Sequence, residues 1–156
     1  MDEVGRPNGN NGDFNLARAA AAALGGTAAI GIEVATDFDM ARAVELGFSL
    51  RTIEALRLRG VSGEEISQLI IKPATLSHRK QTGRKLTVDE SDRASRVARV
   101  LALAENTFAN KGKAARWLHK DLKSFDGRRP IDLIRTTDGN RIVEDLLGKI
   151  AWGAAA

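Results

Sequence analysis

The sequence predicts an all-helical protein, and three observations carry that expectation. Apolar residues recur at alternating steps of three and four, most clearly in Ala94, Val97, Leu101, Ala104 and Phe108. Capping patterns stand ahead of several such stripes, as in Ser62–Glu65 and Thr87–Glu90. No segment alternates apolar and polar residues over the length of a strand.

The elements follow in chain order. Met1–Asn15, rich in Gly, Asn and acid, reads as a disordered tail. Leu16–Leu24 is an alanine-rich helix stopped by Gly25-Gly26. A second helix is expected from Asp37, as its cap, to Gly47, with Met40, Val44 and Leu46 inward. Ser49 is expected to cap a third, whose stripe of Leu50, Ile53, Leu56 and Leu58 ends at Gly60.

Residues 61–81 then read as two short helices around a tight turn. Ser62 caps the first, Glu65 completes a capping box, and Ile66, Leu69 and Ile70 share one face. Pro73 suits the first turn of the second helix, where its missing N–H is not needed. Leu76 anchors that helix inward, leaving Ala74, Thr75, Ser77, His78, Lys80 and Gln81 outward. A short polar helix packed across another is the geometry that enters a DNA major groove.

Thr87–Glu90 opens a long helix to about Ala109, with Arg93, Arg96 and Arg99 off its seam as a solvated or partner-facing edge. Asn110-Lys111-Gly112 breaks it. Lys113–His119 forms a short helix whose Trp117 reads as core beside Leu118. Gly127-Arg128-Arg129-Pro130 is a turn feeding Ile131, Leu133 and Ile134. The last helix spans Asp138 to Ala151, with Ile142, Val143, Leu146, Leu147 and Ile150 inward. The chain thus divides into a tail (1–15), a helical region (16–48), a helix-turn-helix unit (49–86) and a C-terminal helical domain (87–156).

Charge follows these divisions. Residues 1–50 hold 3 Lys and Arg against 7 Asp and Glu, whereas residues 51–85 hold 8 against 3. Lys72, Arg79, Lys80, Arg84 and Lys85 fall in one stretch without an acid. A phosphate backbone rewards such density, because each neutralised phosphate releases counterions. A basic face merely solvated is the alternative; its coincidence with the helix pair favours DNA. The expected DNA-binding residues are Lys72, Ala74, Thr75, Ser77, His78, Arg79, Lys80, Gln81, Arg84 and Lys85.

With 156 residues, 43% of them hydrophobic, the chain can bury a core as one elongated or two small domains. The absence of Cys excludes disulfides and thiolate metal sites and agrees with a reducing cytoplasm. The apolar run from Leu16 to Ile30 lacks a basic region before it, so it is not read as a signal peptide, and no membrane is expected. Catalysis is poorly served. There are 2 His and no Tyr, no phosphate loop and no paired carboxylates, and Asp89, Glu90 and Asp92 suit an acidic first helical turn. Neither metal nor cofactor is expected.

Five blocks in the second half carry a resemblance. They are Glu90-Ser91-Asp92-Arg93, Ala98–Glu105, Lys113-Ala114-Ala115-Arg116-Trp117-Leu118, Gly127–Thr136 and Val143–Ile150. In that order they resemble the Xre-type antitoxins of the MbcA/ParS/Xre family, over roughly Ser49 to Gly153. The resemblance implies an N-terminal helical dimerisation region, a central Cro-like helix-turn-helix and a C-terminal toxin-binding domain. It further implies a cognate RES-domain toxin that depletes NAD, a C-terminal region that blocks the toxin's NAD pocket, and a complex that binds its own promoter DNA. The homodimer it implies is assigned to the small apolar residues of Leu16–Leu46.

Candidate toxin-binding residues are the cations Arg128, Arg129, Arg135 and Lys149, together with Ile150, Trp152, Gly153, Ala154, Ala155 and Ala156. Arg128 and Arg129 read equally as a solvated turn. The slim alanine tail departs from the polar or aromatic end expected of the family. Residues Ser49–Lys85 alone fit a stand-alone helix-turn-helix repressor with a C-terminal dimerisation or ligand-binding domain. They also fit an antitoxin whose helix-turn-helix no longer binds DNA, a reading that the basic run opposes.

Overall fold

A computed structural model describes residues 13–153. Its helices are α1 (Leu16–Ala23), α2 (Thr27–Ile30), α3 (Asp37–Leu46), α4 (Arg51–Leu58) and α5 (Gly63–Leu69), followed by α6 (Pro73–Thr82), α7 (Val88–Phe108), α8 (Lys111–Leu118), α9 (Pro130–Leu133) and α10 (Thr137–Ala151). Among the described residues the sole extended pairing is one bridge, Leu122 with Arg128. The expected all-helical class holds.

The organising element is α7. It contains neither Gly nor Pro, starts on the expected Thr87–Glu90 capping box and ends where Ala109 turns left-handed at φ 50°. Helices α1, α3, α4, α5, α8 and α10 all pack on it. Buried Ser91, Ala94, Ser95, Ala98, Ala102 and Ala104 keep its surface low, so neighbouring backbones approach closely. Phe48, Ile53, Leu56, Leu118 and Leu147 are fully buried around it, as are Val97 and Val100 on α7 itself, each contributing about 2 kcal/mol of apolar burial. One continuous core therefore joins the helix-turn-helix segment to the C-terminal helices.

Several sequence expectations are corrected. The Met1–Asn15 tail falls largely outside the described residues, but its last residue caps α1, Asn15 Oδ1 accepting from Arg18 N. The apolar face of α1 (Ala17, Ala20, Ala21, Ala23) packs inside the chain against α7 and so is not a free seam. Thr36, not Asp37, caps α3, with Asp39 closing the box. Hydrogen bonds from the Ala35 and Thr36 backbone hold the Asp39 carboxyl below its ordinary value. Ala43 takes the inward place on α3 expected of Leu46, which is exposed. Ser49 caps nothing through its side chain; its carbonyl accepts from Thr52 Oγ1 at 2.8 Å. Leu58 is 90% exposed, because α4 ends there and Val61 resumes the core after the turn at Gly60. In α10 the buried face runs through Gly139, Asn140, Val143 and Leu147, leaving Ile142 exposed.

The arginine edge of α7 is turned to neighbouring elements. Arg93 Nη1 donates to Ile70 O at 3.1 Å, Arg96 Nη1 to Thr137 Oγ1 at 3.3 Å, and Arg99 bridges Asp37 and Glu144. A backbone strap closes the same region. Leu86 N donates to Phe48 O, and Phe48 N to Ser91 Oγ, both at 2.9 Å. Gly47 permits this approach at φ 82°, since a Cβ there would lie 2.7 Å from Leu86 O.

Candidate functional site

The helix pair forms as the residues dictate. Ser62 Oγ accepts from Glu65 N at 3.1 Å, and Glu65 Oε1 accepts from Ser62 N at 3.0 Å, starting α5. Ile66, Leu69 and Ile70 are buried. The turn Ile70-Ile71-Lys72 is held from outside by the Arg93 bond to Ile70 O, and Pro73 opens α6. Leu76 is the one buried residue of α6, and the helix stops at Gly83 in the left-handed region, φ 65°. Lys72, Ala74, Thr75, Ser77, His78, Lys80, Gln81, Arg84 and Lys85 are all exposed. All of them lie on α6 or within three residues of its ends.

Arg79 departs from that set. Its guanidinium turns inward to the Glu90 carboxylate, Nη1 lying 2.5 Å from Oε1, and also donates to Lys85 O at 3.0 Å. Glu90 Oε1 accepts from Thr87 N at 2.8 Å, so one carboxylate both caps α7 and anchors the end of α6. Burial opposes the charge on Glu90, but the Thr87 and Arg79 hydrogen bonds outweigh it and hold the carboxyl below its ordinary value. Arg79 thus ties α6 to the start of α7, with its side chain 15% exposed.

The C-terminal candidates fall into two groups. Around α9, Arg128 and Arg135 are exposed, while Arg129 forms a two-pronged pair with Asp132, both contacts at 2.8 Å. That pairing holds the Asp132 carboxyl below its ordinary value. At the end of α10, Lys149 and Gly153 are exposed, Ile150 is half-buried, and Trp152 is 78% exposed. Ala154, Ala155 and Ala156 lie outside the described residues. Trp117 packs on the core as expected, its ring centroid 5.7 Å from that of Phe108.

Two interactions between the halves have no sequence signature. Arg59 Nη1 pairs with Glu105 Oε2 at 2.6 Å, tying the α4–α5 turn to α7. His119, at the end of α8, meets the Glu65 carboxylate through Nε2 at 2.9 Å, while its Nδ1 lies 2.7 Å from Ala115 O. The partners stand 54 residues apart, so no local spacing announces them. Burial works against charge on both groups. Their mutual bond, with Ser62 and Ala115, overrides it, raising His119 above and lowering Glu65 below the ordinary values. Among the described residues, no three His, Cys, Asp or Glu converge as a metal site requires, and no helix is long and apolar enough to cross a membrane.

The geometry defines a helix-turn-helix unit locked through α7 onto a C-terminal helical domain. Comparison with known proteins gives both parts a class. Residues 39–99 match the antitoxin Xre-like helix-turn-helix domain, and residues 103–153 match the antitoxin Xre/MbcA/ParS C-terminal toxin-binding domain. The two matches meet inside α7. An antitoxin Xre of Pseudomonas putida is 39% identical over 121 residues, covering 78% of this chain and 76% of that protein. An antitoxin Xre of Yersinia enterocolitica is 29% identical over 127 residues, 80% of this chain and 86% of its own length. A Prs ADP-ribosylating antitoxin of Sphingobium is 27% identical over 97 residues, 56% of this chain and 61% of that protein.

The chain belongs to the Xre/MbcA/ParS family of antitoxins. It is the antitoxin of a toxin–antitoxin system, with a helix-turn-helix and a C-terminal toxin-binding domain.

Proposed function

We propose that this antitoxin neutralises a RES-domain toxin that depletes NAD, by covering the toxin's NAD pocket with its C-terminal region. The carrying observation is the end of α10, where an exposed Trp152 follows Lys149 and the half-buried Ile150. An exposed Trp is a frequent interface anchor, and a cation suits a cleft built for a pyrophosphate. Arg128, Arg135 and the Arg129–Asp132 pair, near α9 at the other end of α10, are assigned a second contact with the toxin, and Ala154–Ala156 are assigned to the first. The Sphingobium relative's name joins antitoxin to ADP-ribosylation, a chemistry that draws on NAD, which supports the toxin class.

The same protein represses its own operon by placing α6 in the major groove of promoter DNA. Thr75, Ser77, His78 and Gln81 face the bases, and Lys72, Lys80, Arg84 and Lys85 face phosphates. Two copies act together, as half-site recognition requires. The exposed Phe38 and Leu46 of α3 offer a seam now that α1 is committed to the core.

The test is NAD hydrolysis by the purified protein encoded beside this gene. One equivalent of antitoxin should suppress it. Undiminished hydrolysis with excess antitoxin would overturn the proposal.

A further inference from the structure

One acidic residue stands inside the cationic face. Glu54, on α4, reaches Arg57 Nη1 at 2.8 Å and Lys80 Nζ at 3.9 Å, and all three side chains are well exposed. Arg57 lines a small cleft with Ile66, Leu76, Ser77 and Lys80, so it flanks α6 on the side that faces α4 and α5. Exposed pairs of this kind add little to stability. Their position matters more than their strength. A duplex seated on α6 would bring phosphates toward Arg57 and Lys80, where they would meet the carboxylate already paired with Arg57 and near Lys80.

We propose that Arg57 and Lys80 form a backbone-phosphate clamp beside the reading helix, and that Glu54 competes with DNA phosphate for it. This rests on the reading of α6 as the DNA-facing helix. In the free protein the carboxylate occupies the clamp. On DNA it must give up both cations and remain near the phosphates as a like charge. Glu54 thereby weakens DNA binding of every sequence, which leaves discrimination to the base-facing residues of α6. The clamp adds Arg57, from outside the helix pair, to the phosphate-contacting set.

The experiment measures fluorescence anisotropy of two labelled duplexes, the segment upstream of this gene and a random one of equal length, across a KCl series. For Glu54→Gln, affinity for both should rise about fivefold at 0.1 M salt, the effect expected of removing one like charge at close range. For Arg57→Gln, affinity for both should fall, and the log–log salt slope should flatten by about one unit. Glu54→Gln combined with Arg57→Gln and Lys80→Gln should lose the gain. Thermal melts of each variant should match wild type, since these side chains are exposed. If wild type binds and Glu54→Gln is no tighter, the competition is refuted. If no variant binds either duplex, the reading of α6 falls as well.

Discussion

Both ring nitrogens of His119 face acceptors, the Glu65 carboxylate at 2.9 Å on one side and the Ala115 carbonyl at 2.7 Å on the other. A neutral imidazole donates from one nitrogen only, so both contacts are satisfied when the ring carries both protons. Glu65 caps the first helix of the helix-turn-helix, and His119 ends a helix of the toxin-binding domain. A single proton therefore helps to hold the two halves together.

That proton makes stability depend on pH. The folded-state value of His119 is raised, so its contribution is full below the ordinary histidine value of 6.5 and is lost as pH rises through the folded value. Glu65 is lowered, so its contribution is full above its ordinary value of 4.5 and is lost as pH falls through the folded value. The nearby charges of Arg129 and Asp132 act on the ring in opposite directions. The melting temperature should fall from pH 6.5 upward, and His119→Gln should remove that slope while costing about 1–3 kcal/mol at pH 6. An unchanged slope in the variant would exclude the pair as its source.

Gly139 and Gly148 lie on the same helix and should respond oppositely to alanine. A Cβ on Gly139 would lie 1.9 Å from Leu133 O, a contact forced by the turn from α9 into α10. Gly139→Ala should cost about 3 kcal/mol or more. A Cβ on Gly148 meets nothing within 4 Å. Gly148→Ala should stabilise by about 0.5–1 kcal/mol, the gain of alanine over glycine inside a helix. Urea denaturation of both variants gives the comparison.

Arg79 and Thr75 separate pose from reading. Arg79→Gln leaves Glu90 without its partner, so it should lower stability by about 1–3 kcal/mol and weaken DNA binding without a one-unit drop in salt slope. Thr75→Ala should leave stability intact and change the preference between operator variants by about 1–3 kcal/mol. A one-unit slope change for Arg79→Gln at unchanged stability would return Arg79 to the phosphate-contacting set.

The legible part of the chain was local. Capping boxes at Ser62 and Thr87, the Pro73 start and the α7 seam are all set by residues within a turn or two of one another. Errors arose where a stripe was extended past its helix, as with Leu58, or where two faces were nearly equivalent, as with Ile142 against Gly139 and Asn140. Gly139 and Asn140 carry no apolar side chain to mark a core face, yet the close pass of Leu133 demands the glycine. The inward pairing of Arg79 was not legible, because charge counts do not show direction; its partner Glu90 lies 11 residues on, across a turn. The Glu65–His119 and Arg59–Glu105 contacts depend on tertiary packing alone.

Trp152 gives the toxin-facing claim a single-residue check. Trp152→Ala should leave the melting temperature unchanged, because the ring is already in solvent. It should weaken inhibition of the toxin about 30-fold, as loss of an interface anchor does. Equal inhibition by both proteins would remove Trp152 from the contact.

The most direct measurement compares the full chain with one ending at Leu147 as inhibitors of NAD consumption by the protein encoded in the adjacent gene. Both should bind the upstream duplex, since α6 and its supports are intact. The full chain should stop NAD loss at one equivalent, and the shortened chain should leave it running. Equal protection by the shortened chain would contradict the account, because the end of α10 would then not be what closes the toxin's cofactor cleft.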